Sequence, residues 1–135
     1  MKKIFIIGSG ISGLSSARYL ANKGFDVTIL DKGKYPGGRI STRRIDKFIF
    51  NHGAQFLTAK SEKFFEVCQK AEDYGVLKKW ITQEGKNVFI GFPDMREFCL
   101  WLAKGLNIYQ STTVNKIKFN KRIEIYTNQK KFACD

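Results

Sequence analysis

Apolar residues change their spacing several times along this chain, and each change predicts an element. Ile4-Phe5-Ile6-Ile7 is too short for a helix and rich in β-branched and aromatic residues, as a strand buried on both faces should be. Ile11, Leu14, Ala17, Tyr19 and Leu20 then recur near 3.6-residue spacing and Ala21 continues them, which predicts a helix ended by a left-handed cap at Gly24. Phe25 to Leu30 is a second buried strand, so the opening segment reads as one βαβ unit. Between Ser61 and Gly75, Phe64, Phe65, Val67, Cys68, Ala71 and Tyr74 line one helical face, with Lys63, Glu66, Lys70 and Asp73 outside. A third helix is predicted to begin at Asp94, with Glu97 completing a capping box. Met95, Phe98, Cys99 and Leu102 form its apolar face, and Gly105 closes it. The pattern then turns to strands. Leu106 to Tyr109 is short, Val114–Phe119 and Ile123–Thr127 flank an Asn-Lys-Arg turn as a hairpin, and residues 131–135 begin a third strand of an antiparallel meander.

The first strand and helix are joined by Gly8-Ser9-Gly10-Ile11-Ser12-Gly13, a GxGxxG fingerprint in the register that a dinucleotide site requires. Gly8 allows the tight turn out of the strand, Gly10 lets backbone approach a pyrophosphate, and Gly13 lets the helix pack closely. Asp31 lies 18 residues beyond Gly13, at the end of the second strand, where a carboxylate accepts hydrogen bonds from a ribose hydroxyl and disfavours a 2′-phosphate. A diphosphate would lie at the positive end of the helix, against free N–H groups. Gly8, Gly10, Ile11, Ser12, Gly13, Asp31 and the adjoining Lys32 are the candidate cofactor-binding residues of this segment.

NAD and FAD share that unit, and the next residues separate them. Asp31-Lys32-Gly33-Lys34-Tyr35-Pro36-Gly37-Gly38-Arg39 resembles the second signature of the flavin amine oxidase superfamily. In that superfamily the glycines and arginine lie against the FAD diphosphate, which adds Gly37, Gly38 and Arg39 as FAD contacts. Arginine suits the role because its fork of donors grips phosphate oxygens and keeps its charge when desolvated. Ile40-Ser41-Thr42-Arg43-Arg44, then Phe50-Asn51-His52-Gly53-Ala54-Gln55-Phe56, resembles the bacterial renalase-like branch, and Phe64-Phe65, Trp80 and Gly91-Phe92-Pro93-Asp94-Met95 continue the likeness. Asn51 departs from it, standing where the branch usually has Asp, so it brings hydrogen-bonding capacity without charge.

The resemblance implies an α/β fold, a Rossmann-like FAD/NAD(P)-binding domain with a parallel sheet and helices plus an antiparallel β-meander, truncated relative to the family. It implies a flavin that accepts hydride from a small reduced substrate, a dihydronicotinamide or an amine. It places Asn51, His52, Gly53, Ala54 and Gln55 near the isoalloxazine and the backbone of Val114 at the adenine. His52, the only histidine, is a weak candidate for catalysis, because hydride abstraction needs no protein base. The implied organisation is a βαβ and Gly-Gly-Arg segment at 1–56, helical segments of a substrate cap at 57–105, and the meander at 106–135, with a C-terminal substrate part absent.

Length tempers this reading. A chain of 135 residues buries about two-thirds of its unfolded surface, and flavoenzymes of the superfamily are more than twice as long. The alternatives are a non-catalytic FAD-binding remnant, or a subunit needing a separate C-terminal chain; an NAD-linked dehydrogenase is disfavoured by Gly37-Gly38-Arg39. The helix at 61–75 is expected to leave an exposed apolar patch and so promote self-association.

Twenty-four basic against twelve acidic residues give a net charge of +12, which attracts anions in general, but no nucleic-acid-binding signature accompanies it. Cys68, Cys99 and Cys134 are odd in number and widely spaced, so they read as free thiols of a reducing compartment, and with one histidine they form no metal constellation. The opening Met-Lys-Lys and its four apolar residues are too short for a signal peptide or a membrane span, which places the protein in the cytoplasm.

Overall fold

The computed structural model describes residues 2–81 and 84–134. In chain order the elements are β1 (Lys3–Ile7), α1 (Ile11–Asn22), β2 (Asp26–Leu30), a single 3₁₀ turn (Gly38–Ile40), β3 (Thr42–Ile45), β4 (Phe48–Asn51) and β5 (Leu57–Thr58). They continue with α2 (Glu62–Asp73), β6 (Leu77–Ile81), β7 (Asn87–Gly91), α3 (Met95–Ala103), β8 (Asn107–Tyr109), β9 (Val114–Phe119), β10 (Ile123–Thr127) and β11 (Lys131–Cys134). Two compact units result, one of Met1–Gly38 with Leu102–Asp135, the other of Arg39–Trp101.

In the first unit β2 is the central strand of a parallel sheet ordered β1-β2-β8. Its residues from Val27 to Leu30 are all buried, the polar Thr28 among them, so the strand is covered on both faces although its sequence alternates. Helix α1 buries Leu14 and Ala17 and stops before Gly24, whose φ of +82° suits a residue without Cβ. Strands β9, β10 and β11 form the expected meander, ordered β11-β10-β9 and antiparallel throughout. Asp135, the last residue of the anticipated third strand, lies outside the described residues, as does Met1 of the opening run. Phe132 of β11 packs edge-on to Phe5 of β1 at 5.5 Å and to Tyr109 of β8 at 5.1 Å, so three aromatic rings tie the meander to the parallel sheet.

The second unit corrects the expectation of a helical segment. Residues 57–105 hold α2 and α3 but also the antiparallel sheet β5-β7-β6, and the preceding Thr42–Asn51 stretch is a two-stranded hairpin. Helix α2 begins as its sequence predicts, with Ser61 Oγ accepting from the Phe64 N–H, and Cys68 and Ala71 are fully buried. Its apolar face is not left open: Phe65 lies 6.0 Å from Phe89 of β7. Tyr74 alone of that face is exposed, with its ring 6.3 Å from Trp101. Exposed apolar side chains of this unit include Ile45, Phe48, Ile49 and Phe50 of the β3–β4 hairpin, and Phe56, Trp80 and Phe92 outside it. Helix α3 buries all four residues expected of it, Met95, Phe98, Cys99 and Leu102. Among the described residues no helix is long and apolar enough to cross a membrane.

Burial pushes the Cys68 thiol up to about 11 and the Cys99 thiol up to about 12. Both therefore stay protonated in the folded state over a pH range where the unfolded chain, at a reference value of 9.0, ionises. Their contribution to stability is complete below about pH 9 and is lost as pH rises through the folded values. The expected result is a denaturation midpoint that falls above pH 9 in the parent chain and falls less steeply in a Cys68→Ala, Cys99→Ala double variant. Equal slopes in a urea series across pH 8–11 would contradict it.

Candidate functional site

Of the sequence-derived candidates, those in the first unit gather around one loop. Gly8 takes φ +99° and donates its N–H to the Leu30 carbonyl at 2.8 Å, turning the chain sharply at the end of β1. A Cβ on Gly13 would overlap the Gly8 carbonyl oxygen, so α1 packs onto the loop at a distance only glycine permits. Gly10 is the cap residue of α1 and offers no side-chain acceptor, and a Cβ there would meet nothing within 4 Å. The first-turn N–H groups of Ile11, Ser12 and Gly13 consequently receive no capping side chain, and no acidic residue sits in that turn. Between the glycines, Ser9 is fully buried with its Oγ unpartnered.

The second glycine pair joins the first. Gly37 donates its N–H to the Ser9 carbonyl at 2.9 Å and bridges to Gly10, and a Cβ on Gly38 would stand 3.4 Å from the Gly10 Cα. Two motifs separated by 23 residues of sequence thus meet backbone to backbone. Asp31, at the end of β2, accepts the Ser9 N–H on Oδ2 and the Gly33 N–H on Oδ1 at 2.5 Å. The backbone of Asp31–Gly33 is fastened to the loop after β8: Asp31 N–H donates to Tyr109 O at 2.9 Å, Thr112 N–H to Asp31 O at 2.7 Å, and Ser111 N–H to Gly33 O at 2.9 Å. Lys32 is exposed in the loop after β2, and half-buried Val114 starts β9 two residues after Thr112. Gly33, Ser9 and Thr112 escaped the sequence reading because they act through backbone groups, which leave no residue-type signal.

In the second unit the His-Gly-Ala-Gln segment lies on the residues that follow the glycine pair. Ala54 N–H donates to the Arg39 carbonyl at 2.8 Å, and a Cβ on Gly53 would come within 2.9 Å of the Arg39 carbonyl carbon. His52 Nε2 shares a 3.3 Å hydrogen bond with Ser41 Oγ; both His52 and Gln55 are exposed, as is Arg39. Asn51 points elsewhere. Its Oδ1 accepts from Thr42 Oγ1 at 2.8 Å and from the Met95 N–H at 3.3 Å, while Asp94 Oδ1 accepts the next N–H, that of Arg96, at 2.9 Å. The start of α3 is therefore capped by side chains from two places in the sequence. Asp94 is fully buried and receives Arg44 Nε on its other oxygen at 2.7 Å. Glu97 does not supply the expected reciprocal half of a capping box; its carboxylate takes Arg44 Nη2. The Arg44 guanidinium is held above its ordinary value, chiefly by the Glu97 hydrogen bond and then by Asp94 against the cost of burial.

These arrangements differ in what they offer a ligand. The α3 terminus is satisfied from within, whereas the α1 terminus leaves its donors uncapped beside an open glycine, which suits a bound anion. Among the described residues no group of three His, Cys, Asp or Glu side chains is placed to hold a metal.

Comparison with known proteins agrees with this geometry. Residues 6–71 match the family model described as NAD(P)-binding Rossmann-like domain. The chain is 33% identical over 117 residues to a phytoene desaturase of Fusarium fujikuroi, covering 87% of this chain and 19% of that protein. It is 36% identical over 98 residues to an L-amino-acid oxidase of Bothrops pauloensis, covering 71% and 19%. The chain therefore spans about a fifth of the length of these curated relatives. Among solved structures, a redesigned putrescine oxidase superposes with a TM-score of 0.79 at 11% identity, covering 98% of this chain and 56% of that one, a likeness of fold alone.

Replacing Asn51 by Ala removes the acceptor for both Thr42 and the first N–H of α3. A loss of about 1–2 kcal/mol of stability is expected, the scale of a lost helix cap. Chemical denaturation of the Asn51→Ala variant measures it, and an unchanged midpoint would show that the cap carries no weight.

Proposed function

We propose that this chain is the FAD-binding portion of an oxidoreductase of the FAD-dependent amine oxidase and desaturase superfamily, with residues 6–71, which match the NAD(P)-binding Rossmann-like family model, as its dinucleotide-binding part. The observation that carries the proposal is the glycine loop at the start of α1. There an uncapped helix terminus, open space at Gly10, a buried Ser9 hydroxyl without a partner and the Gly37–Gly38 backbone converge.

A dinucleotide fits these residues. The N–H groups of Ile11, Ser12 and Gly13 are the donors for its diphosphate, Gly37 and Gly38 bring a second stretch of backbone to the same loop, and Arg39 follows as a charged fork for phosphate oxygens. The Asp31 carboxylate is the acceptor for an adenosine ribose hydroxyl, with Lys32 beside it, and the backbone of Val114 is assigned to the adenine. Asn51 and the segment His52-Gly53-Ala54-Gln55 are assigned to the flavin ring by the renalase-like resemblance, with Asn51 acting through the backbone it anchors. FAD, when bound, supplies the hydride-accepting chemistry. The chain supplies binding and orientation. The Ser41 hydrogen bond holds the His52 imidazole in place, and His52 is not required as a base.

The finer reading, a renalase-like enzyme of the cytoplasm acting on a dihydronicotinamide or an amine, rests on Gly37-Gly38-Arg39, on Asn51 to Phe56 and on Gly91 to Met95.

Titration of the 135-residue chain with FAD, followed by quenching of flavin fluorescence, tests the proposal. Saturable binding is expected, weakened about tenfold to a hundredfold by Arg39→Ala, the weight of charge-assisted contacts to phosphate. Absence of FAD binding together with NAD binding that survives Arg39→Ala would turn the assignment to a nicotinamide protein. In a preparation competent for turnover, His52→Gln is expected to leave the rate of flavin reduction within about threefold of the parent; a loss of 10²-fold or more, the scale of general-base catalysis, would restore His52 to the mechanism.

A further inference from the structure

We infer that Gly33 is a positioning residue for Asp31, and that the carboxylate it sets is a clasp on the glycine loop; for the ribose this inference rests on the FAD reading above. Residue 33 lies in the stretch between the acid and the second glycine pair, where neither the fingerprint nor the Gly-Gly-Arg signature asks for a glycine.

The Asp31 carboxylate is acceptor-only and offers about four lone-pair directions. Two are engaged by this chain: Gly33 N–H reaches Oδ1 at 2.5 Å, and Ser9 N–H reaches Oδ2. One side chain thereby joins the loop after β2 to the tip of the glycine loop 22 residues earlier, and its remaining lone pairs are left in a fixed direction for ribose hydroxyls. The frame under it is rigid. The Asp31–Gly33 backbone is held by three hydrogen bonds from and to Tyr109, Ser111 and Thr112, so the peptide cannot easily shift.

A Cβ at position 33 would stand 2.8 Å from Asp31 Oδ1 and 3.3 Å from the Tyr35 carbonyl oxygen. Gly33 does not occupy the left-handed region, so alanine is compatible with its backbone conformation. What must give way is the end of the Asp31 side chain. Rotating it away from Cβ draws Oδ2 off the Ser9 N–H, so one methyl group at 33 acts on an amide in another loop. The absent side chain at 33, rather than φ, is what the site requires.

Amide hydrogen exchange followed by ¹⁵N-edited NMR on the full chain without ligand reads this directly. Gly33→Ala is expected to accelerate exchange at Ser9 by about tenfold or more, the weight of one hydrogen bond to a charged group. The amides of Gly8 and Leu14, which donate to Leu30 and Gly10 carbonyls, should be unchanged. Asp31→Ala should accelerate Ser9 equally, and adding Gly33→Ala to it should change nothing further. A Ser9 amide that stays protected in either single variant overturns the inference. So does an additive effect in the double variant, or uniform acceleration at Gly8, Ser9 and Leu14, which marks general loosening. FAD affinity reports separately: it should fall about tenfold in Gly33→Ala. If the parent chain takes no FAD and binds NAD while Ser9 responds as described, the clasp stands and the flavin reading falls.

Discussion

The first unit depends on how closely α1 approaches the end of β1. Because Gly13 has no Cβ to collide with the Gly8 carbonyl, the helix begins almost on top of the strand that leads into it. Three consequences follow from that single approach. The turn must be made in one step, which requires φ of +99° at Gly8. The cap position falls to Gly10, which has no acceptor to offer the helix. The chain is left pressed against β2, whose end carries Asp31. A larger residue at position 13 would collide with the Gly8 carbonyl and move the helix outward, disturbing the turn and the cap that follow from the close approach.

Helix termini show how the same problem has two answers in one sequence. An α-helix leaves its first N–H groups without intrahelical partners, and burial without partners is costly. In the second unit α2 and α3 meet this internally. Ser61 caps one; Asn51, Thr42 and Asp94 cap the other, with Arg44 neutralising the buried carboxylate. A glycine cap at α1 leaves donors for something other than the chain, and the neighbouring Ser9 hydroxyl is left unpaired as well. Such local departures from satisfied polar groups mark functional positions more reliably than charge does. The net charge of +12 carries no comparable information about place.

Much of the first unit was legible because its signals are local. The apolar period separates β1, α1 and β2, and the Asn-Lys-Arg turn between two alternating runs fixes β9 and β10 to their observed limits. The position of β8 as a third parallel strand was not legible, since Asn107–Tyr109 is three residues long and its register is set by β2, far away in sequence. Strands β3 and β4 were missed for a different reason: every residue from Arg43 to Phe50 is exposed, so apolar and basic side chains mix without the alternation that a half-buried strand shows. In the candidate site the glycines and Asp31 could be read because those residue types at that spacing are themselves the signal. The use of the Asn51 carboxamide at the α3 terminus was not legible, being a partnership 44 residues away that no spacing rule anticipates.

Among the described residues the β3–β4 hairpin is fastened from its base as far as Arg44. Thr42 and Asn51 face each other at its base and are bound to the first turn of α3, and Arg44 adds a further hold through Asp94 and Glu97. Beyond them Ile45 pairs with Phe48 around the Asp46–Lys47 turn, and the opposite face carries Phe48 and Phe50, 6.3 Å apart and open to water. A two-stranded ribbon has little stability of its own. It behaves as a cantilever: motion is damped at the root and grows toward the tip, so the ribbon frays from Asp46 inward while Thr42 and Asn51 move only when the α3 terminus itself opens.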